Sequence, residues 1–185
     1  PYASCLSVGN AIVHGLPSDY VLSSGDVLGI DLGVNYKGWY TDAATTVVIG
    51  TVDEHTRALV ATTKEALFKA VQVVKPGIKV GLISSTIEAV AKQHNFGIVK
   101  NLTGHGVGRS LHEPPQIPNF GAPDEGATVK IGQALAIEPM FCGGSGEVTV
   151  GQDGWTVSCT EGIGSHHEAT VLVTETGAKV LTGII

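Results

Sequence analysis

GDVLGID at residues 25–31 and GQALAIE at residues 132–138 follow one pattern: glycine, two variable residues, leucine, one variable residue, isoleucine and a carboxylic acid. Each stretch is typical of a strand that ends in an acid. A carboxylate at the end of a buried strand is costly unless something compensates its charge. Because the pattern occurs twice, it indicates a duplicated half-domain with one shared site.

The residues around the two stretches repeat in the same order. A histidine lies upstream of each acid, His14 in the first copy and His112 in the second. A further acid lies downstream of each, and both of these acids, Asp42 and Glu168, open strand-like runs rich in alanine, threonine and valine. Each half therefore brings one histidine and two carboxylates to a common centre. Four acids cannot crowd together without cations, so the pattern indicates a metal site.

Length, composition and charge are typical of one globular domain. The chain has 185 residues, of which 43% are hydrophobic and 15% charged, enough for a core of single-domain size. The net charge is -6, with 11 basic and 17 acidic residues and no cluster of lysine or arginine. This excludes the basic footprint of a protein that binds nucleic acid or an anionic membrane. No apolar run of the sequence approaches the length needed to cross a bilayer.

The cysteines suggest a reducing compartment. Cys5, Cys142 and Cys159 are odd in number and follow no zinc-type spacing. This favours free thiols over a disulfide framework. The cytoplasm is therefore the expected location.

The first part of the chain reads as strands followed by a helix. Strand-like segments separated by turn residues are expected at residues 7–14, 27–36 and 40–49. Thr51 and Glu54 then have the spacing of a helix capping box. An apolar stripe continues from there until Pro76-Gly77 stops the helix.

A second helix and a second set of strands follow. The helix is expected to end near His94, with Gly97 in a position to terminate it. Later strands are expected near residues 98–102, 133–141, 148–150, 155–159 and 168–174. The second half is thus two helices followed by strands, whereas the first half has strands with no helices ahead of them. If the duplication holds, a helical segment belongs before Pro1 and the chain is truncated at its N-terminus.

Residues 104–121, GHGVGRSLHEPPQIPNFG, carry the strongest local signal. Glycines on both sides of His105 let the backbone approach a metal or a substrate closely, and the seven-residue spacing to His112 can aim both imidazoles into one cleft. The zinc-protease helix motif HExxH does not occur, because Pro114-Pro115 follow His112-Glu113 and forbid a continuing helix. The alternative interpretation of this stretch is a Gly/Pro-rich surface loop.

This segment, together with SVGNAIVHGLP at 7–17, GIDLGVNYKGWYTDAATT at 29–46 and IEPM at 137–140, resembles the type I methionine aminopeptidase family. The motifs occur in matching order over essentially the whole chain. The resemblance implies a pita-bread fold, which is an α/β domain of two pseudosymmetric halves, each of helices and antiparallel strands, around a dinuclear metal site. It also implies that residues 1–185 form a single metallopeptidase catalytic domain.

Matched position by position, the resemblance implies five metal ligands, which are Asp31, Asp42, His105, Glu138 and Glu168. Asp42 and Glu168 match the acids that bridge two metals. Asp31 goes with one metal, and His105 and Glu138 go with the other. Four carboxylates and one imidazole form an oxygen-rich ligand set, which suits two divalent ions of manganese, iron(II), cobalt or zinc.

The resemblance also implies three catalytic residues, His14, His112 and Glu138. Glu138 would help to shuttle the proton of the attacking water. His112 would hydrogen-bond the substrate carbonyl, and His14 would interact with the scissile amide nitrogen.

The substrate-binding residues implied in addition to the two histidines form an apolar pocket. Cys5 and Trp155 match residues that line the methionine side-chain pocket of the family, and Leu111 stands where the family often has an aromatic residue. Ala169 stands where the family often has a histidine. Neither Leu111 nor Ala169 is a ligand, so these departures bear on the shape of the pocket and not on the chemistry.

The implied function is removal of the N-terminal methionine from nascent polypeptides by a cytoplasmic, monomeric metalloaminopeptidase. Its partners would be peptide N-termini, without nucleic acid or membrane. An Xaa-Pro aminopeptidase or prolidase of the same fold would use the same metal site, but IEPM and the compact IPNFG segment at 117–121 favour methionine aminopeptidase. A non-catalytic pita-bread binding module is the third possibility, and the presence of all five ligand positions disfavours it.

Overall fold

Antiparallel strands hold more residues than helices in the structure, a computed structural model that describes residues 2–183. The strands are β1 (Cys5–Val8), β2 (Ala11–Val13), β3 (Val27–Tyr36), β4 (Trp39–Val48), β5 (Gly97–Ile98), β6 (Thr103–Val107), β7 (Glu113–Pro118), β8 (Ala134–Ile137), β9 (Met140–Cys142), β10 (Val148–Val150), β11 (Val157–Cys159), β12 (Gly164–His166), β13 (Glu168–Val173) and β14 (Ala178–Val180). The two helices, α1 (Glu54–Val73) and α2 (Val80–His94), lie between β4 and β5 in the chain. Neither helix has the length and apolarity that a membrane span requires.

The main sheet has the strand order β1-β3-β4-β13-β8-β6-β7, with β14 paired to β13. Its pairings are antiparallel throughout. The order is symmetric about the junction of β4 and β13, since β3 and β8, which begin within the two copies of the repeated pattern, flank that central pair on opposite sides. The architecture confirms the prediction of an α/β domain with two pseudosymmetric antiparallel halves.

The helices pack on the strands of the second half. Their apolar residues recur at the three- and four-residue spacing that places side chains on one helix face. The fully buried members of this core include Leu59, Ala66, Leu67 and Ala70 of α1, Ile83 and Ile87 of α2, and Leu135, Ile137 and Val171 of β8 and β13. Burial of each leucine or isoleucine contributes about 1.5–3 kcal/mol. This packing holds the strands from which Glu138 and Glu168 project.

The strands of the first half are less covered by helices than those of the second half. Leu32 and Val34 of β3 alternate with Asp31 along the strand, so they face away from it, and they are 43% and 44% exposed. Among residues 2–183, no helix precedes these strands in the chain. The prediction of strands without helices ahead of them is therefore confirmed for the described part.

The helix caps differ from the prediction. Asp53, not Thr51, is the N-cap of α1, since its carboxylate accepts a hydrogen bond from the backbone N–H of Thr56 at 2.8 Å. Thr51 lies too far ahead of the first helical turn to make this contact. Asn95, not Gly97, ends α2 in the left-handed conformation, with φ of 58°. Gly97 belongs to β5, where the neighbouring backbone leaves no room for a Cβ.

The prediction of three free thiols is wrong for two of the cysteines. Cys142 of β9 and Cys159 of β11 form a disulfide, and Cys5 is free. The two cysteines are 17 positions apart and lie in different small sheets, one of order β12-β9-β5 and one of order β10-β11-β2. Only the packing of these sheets brings the sulfurs together, so no spacing rule finds the pair. The inference of a reducing compartment loses its basis.

Residues 104–121 are not a surface loop. β6 and β7 pair with each other, and β6 also pairs with β8, so His105 lies inside the main sheet. Gly106 is required on this strand, because a Cβ there would collide with the carbonyl of Pro114. The turn between β6 and β7 carries Leu111 and His112.

Candidate active site

A cavity of about 1170 Å³ opens over the main sheet. Nine of the ten site residues predicted from the sequence line its wall: Cys5, His14, Asp31, Asp42, His105, Leu111, His112, Glu138 and Trp155. The tenth, Glu168, is only 2% exposed and lies within ligand distance of the other acids. The structure thus brings all ten residues to one place.

Strand register aligns the acids. Asp31 of β3 and Glu168 of β13 both pair with Ala44 of β4, one from each side. Asp42 lies two residues before Ala44, so the two side chains project from the same face of β4. Glu138 follows directly after β8, which pairs with β13. The register of adjacent strands therefore places the carboxylates on one face at the centre of the sheet.

The carboxylates and His105 form overlapping groups of possible ligands. Among the described residues, the ligand atoms of Asp31, Asp42 and Glu168 lie within 4.8 Å of one another, as do those of His105, Glu138 and Glu168. The two groups share Glu168, with Asp31 and Asp42 in the first and His105 and Glu138 in the second. A third group joins Asp42 and His105 to His112.

Burial and mutual repulsion perturb the acids. Burial, and then the charge of Asp42, raise the pKa of Asp31 to about 7. Burial raises the pKa of Glu138 and of Glu168 well above the ordinary value, and the neighbouring acids add to the effect. No lysine or arginine lines the described cavity wall, and Oε1 of Glu168 has no hydrogen-bond partner in the described structure. A set of buried acids without basic partners fits divalent cations.

The orientation of His105 suits a ligand. Its Nδ1 lies 2.9 Å from the carbonyl oxygen of Gly106, and a proton on Nδ1 that donates to this carbonyl leaves Nε2 with a free lone pair. Nε2 lies 3.5 Å from Glu138 Oε1 and 3.8 Å from Asp42 Oδ2. Burial lowers the pKa of His105, which keeps the imidazole neutral. A neutral imidazole with its lone pair among carboxylates is the form that binds a metal.

The two other predicted histidines lie at the cavity mouth. The His112 ring is edge-on to the His105 ring, with centroids 4.3 Å apart. His14 stacks on the indole of Trp155 at 4.7 Å, with 20° between the ring planes. Its backbone has φ of 62°, a left-handed conformation that is uncommon for a residue other than glycine. Burial lowers the pKa of His14.

The three residues predicted to form the apolar pocket, Cys5, Leu111 and Trp155, line the cavity that the acids also line. Cys5 pairs with Asp31 in the sheet, and burial, with the charges of Asp31 and Asp42, raises the pKa of its thiol. The thiol therefore stays neutral. Trp155 is 53% exposed and forms the open side of the pocket, and Leu111 packs near Gly33 on the opposite hairpin.

His166 is a cavity residue that the sequence reasoning missed. It is buried, its Nε2 lies 3.6 Å from Glu138 Oε2, and that nitrogen has no hydrogen-bond partner in the described structure. Burial lowers its pKa to about 3. The spacing of two residues between His166 and Glu168 was the available signal, since extended chain places such residues on one face. Met140 lines the cavity as well and was not predicted as a site residue.

Comparisons with known proteins agree with this geometry. The model of metallopeptidase family M24 matches residues 1–175. Methionine aminopeptidase 1 of Bacillus subtilis is 40% identical over 181 residues, which cover 97% of this chain and 73% of the relative. The methionine aminopeptidase of Clostridium perfringens is 38% identical over 183 residues, 98% of this chain and 74% of the relative.

Solved structures have the same fold. The crystal structure of methionine aminopeptidase from Thermotoga maritima matches with a TM-score of 0.96 and 44% identity, over 98% of this chain and 74% of that one. Prolidase from Pyrococcus furiosus matches with a TM-score of 0.77 and 31% identity, over 98% of this chain and 49% of that one. The fold is therefore the pita-bread fold of these enzymes. From the family match and these relatives, the chain belongs to metallopeptidase family M24 and groups within it with the methionine aminopeptidases.

Proposed function

We propose that residues 1–185 form one catalytic domain that removes the N-terminal methionine from peptides and nascent chains by metal-dependent hydrolysis. One observation carries this proposal. Three carboxylates and a neutral imidazole line a cavity, and a fourth carboxylate lies within ligand distance of them, in a chain whose similar relatives are methionine aminopeptidases.

The five predicted ligands, Asp31, Asp42, His105, Glu138 and Glu168, would hold two divalent ions. The donor set favours manganese, iron(II), cobalt or zinc, since oxygen ligands dominate and no thiolate contributes. When bound, such ions lower the pKa of water and stabilise the negative charge that develops on a peptide carbonyl. Asp42 and Glu168 are the proposed shared ligands, because they belong to the two strands that meet at the centre of the sheet.

Side chains of the site would transfer the proton and contact the substrate. The Glu138 carboxylate would accept the proton of the attacking water and pass it to the leaving amine. His112 would donate a hydrogen bond to the substrate carbonyl oxygen, where charge develops, and this contact strengthens in the transition state. His14, held against Trp155, would contact the scissile amide nitrogen.

Two features of the cavity, the acids and the apolar pocket, would select the substrate. The ammonium group of a peptide N-terminus is attracted to the acids, which favours cleavage of the first peptide bond over internal bonds. The unbranched thioether of methionine suits a pocket made of Cys5, Leu111 and Trp155, because sulfur packs favourably against aromatic edges. The cytoplasmic location and the monomeric state stay predictions from the sequence, and the Cys142–Cys159 disulfide weighs against the first.

A competition assay tests this function. Met-Ala-Ser, norleucine-Ala-Ser, Leu-Ala-Ser and Ala-Pro-Ser are mixed with the protein at saturating Mn²⁺ or Co²⁺, and the released amino acids are quantified. We expect methionine to be released first and norleucine nearly as fast, since norleucine only exchanges the sulfur for a methylene, a smaller change than the missing methylene that costs about 1–3 kcal/mol in an apolar pocket.

Two results would contradict the proposal. Preferred release of alanine from Ala-Pro-Ser would favour an Xaa-Pro peptidase. No release from any peptide, with two ions bound per chain, would favour a binding module.

A further inference from the structure

The turn that carries His112 is attached to the opposite half of the domain. This turn, residues 108–113, belongs to the second half, and it contacts the tip of the β3–β4 hairpin of the first half. The carbonyl of Gly108 accepts a hydrogen bond from the N–H of Tyr40 at 2.8 Å. The guanidinium carbon of Arg109 lies 3.7 Å from the centroid of the Trp39 ring, and an Nη of Arg109 donates to the carbonyl of Gly38 at 3.3 Å.

Hydrogen bonds also connect residues within the turn. The N–H of Ser110 donates to the carboxylate of Glu113 at 2.7 Å, and the N–H of Gly108 donates to the carbonyl of Ser110 at 3.1 Å. Leu111 packs near Gly33, where an added Cβ would lie 3.2 Å from a Leu111 methyl. These bonds connect the turn residues to one another, so we expect the attachment to the hairpin to decide where the side chains of the turn lie.

His112 depends on that attachment. It is exposed, and its ring makes no hydrogen bond with the described residues. Its ring contact is the edge-on approach to His105. The position of the imidazole is therefore set by the main chain of the turn rather than by partners of its own.

We propose that Arg109 is a positioning residue, whose stack on Trp39 anchors residues 108–113 to the hairpin that carries Asp31 and Asp42 and thereby holds His112 over the cavity. A planar guanidinium lies flat on an indole and donates in its own plane at the same time, which matches the paired contacts to Trp39 and Gly38. The inference rests on the proposed role of His112. A catalytic donor tolerates little displacement, and a shift of about 1 Å costs up to about 10²-fold in rate.

The experiment compares substitutions at the stack with a matched control. Arg109→Ala should lower kcat for Met-Ala-Ser roughly 10-fold, a fraction of the loss for full displacement, and change KM less. Trp39→Ala should also lower kcat. The double variant with both substitutions should have a kcat no lower than that of Arg109→Ala, because each single substitution removes the same contact. Trp39→Phe should retain most of the activity. The control is Lys37→Ala, because Lys37 lies 5.1 Å from the Tyr36 ring at the same hairpin tip and makes no stack with the turn.

Hydrogen–deuterium exchange supplies a readout that does not need activity. Arg109→Ala should speed exchange in residues 108–113 with bound metal content unchanged, and Lys37→Ala should leave exchange there unchanged. Unchanged kcat in Arg109→Ala, or a rate equal to that of Lys37→Ala, would overturn the inference. If the parent protein cleaves no peptide, the proposed function fails separately, and unchanged exchange in Arg109→Ala would still overturn the anchoring.

Discussion

His112 and His105 lie side by side, but their environments separate their roles. His105 is buried in β6 with Nε2 directed at two carboxylates, whereas His112 is exposed on the turn that follows. The ligand group that includes His112 is geometrically possible, so the distinction between ligand and substrate contact needs a test.

Replacing His112 by alanine should leave metal binding intact and lower turnover. We expect kcat to fall by roughly 10²-fold or more, which is the scale for loss of one transition-state hydrogen-bond donor. Metal content by elemental analysis and steady-state kinetics on Met-Ala-Ser measure the two effects. Loss of one ion in this variant would make His112 a ligand and contradict its proposed role.

At the scale of elements, the disulfide joins two strands that follow functional residues. β9 begins two residues after Glu138, and β11 begins two residues after Trp155. Around it lie the buried side chains of Ile12, Val13, Val99, Met140 and Val157. The Cys142–Cys159 bond therefore lies in the smaller of the two apolar cores.

Reduction should destabilise the protein. A cross-link between residues 17 apart lowers the entropy of the unfolded chain and so raises the free energy of unfolding by about 3 kcal/mol. In a chain of this size, each kcal/mol of stability lost lowers Tm by about 2–4 °C. Thermal unfolding with and without dithiothreitol measures the loss. The double variant Cys142→Ala/Cys159→Ala is the control, because its Tm should not respond to the reductant. Equal Tm values for the parent protein with and without reductant would contradict the expectation.

Local sequence signals predicted some of these elements and missed others for identifiable reasons. β3 has the expected bounds, 27–36, because its apolar run and flanking turns are local. The cap at Asp53, the left-handed Asn95 and the β6–β7 pair depend on contacts or competing residues that spacing does not resolve. All ten predicted site residues converge. The repeated order of the chain indicated six of them, whereas the glycine-rich segment and the family resemblance indicated His105, Cys5, Leu111 and Trp155. The two-residue spacing of His166 from Glu168 was a usable signal in the sequence, whereas its approach to Glu138 is visible only in the fold.

At the scale of the whole molecule, the acids couple metal binding to stability and pH. Asp31 has a folded pKa of about 7 against an ordinary value of 3.8. In the metal-free protein, the unfolded chain ionises this group first, so its contribution to stability is present below about pH 4 and is lost as the pH rises through about 7. Metal binding requires the ionised carboxylate, so a proton on Asp31 competes with the metal below about pH 7.

Added metal should therefore raise Tm more at pH 8 than at pH 6. A metal concentration of 100 times the dissociation constant stabilises the folded state by about 2.7 kcal/mol. Each kcal/mol of this stabilisation raises Tm by about 2–4 °C. Thermal unfolding with Mn²⁺ or Co²⁺ at both pH values measures the increment. Asp42→Ala is the control and should show no increment, because it removes a proposed shared ligand. Equal increments at pH 6 and pH 8 would show that Asp31 does not compete with a proton.

The shared register of Asp31 and Glu168 on Ala44 has a consequence for folding. Side chains alternate along a strand, so a slip of one residue between β3 and β4 would turn Asp31 to the opposite face of the sheet. A chain trapped in that pairing would lack a complete ligand set and gain no stabilisation from the ions. Metal binding would therefore stabilise only chains in which β3 and β4 have the register that completes the ligand set.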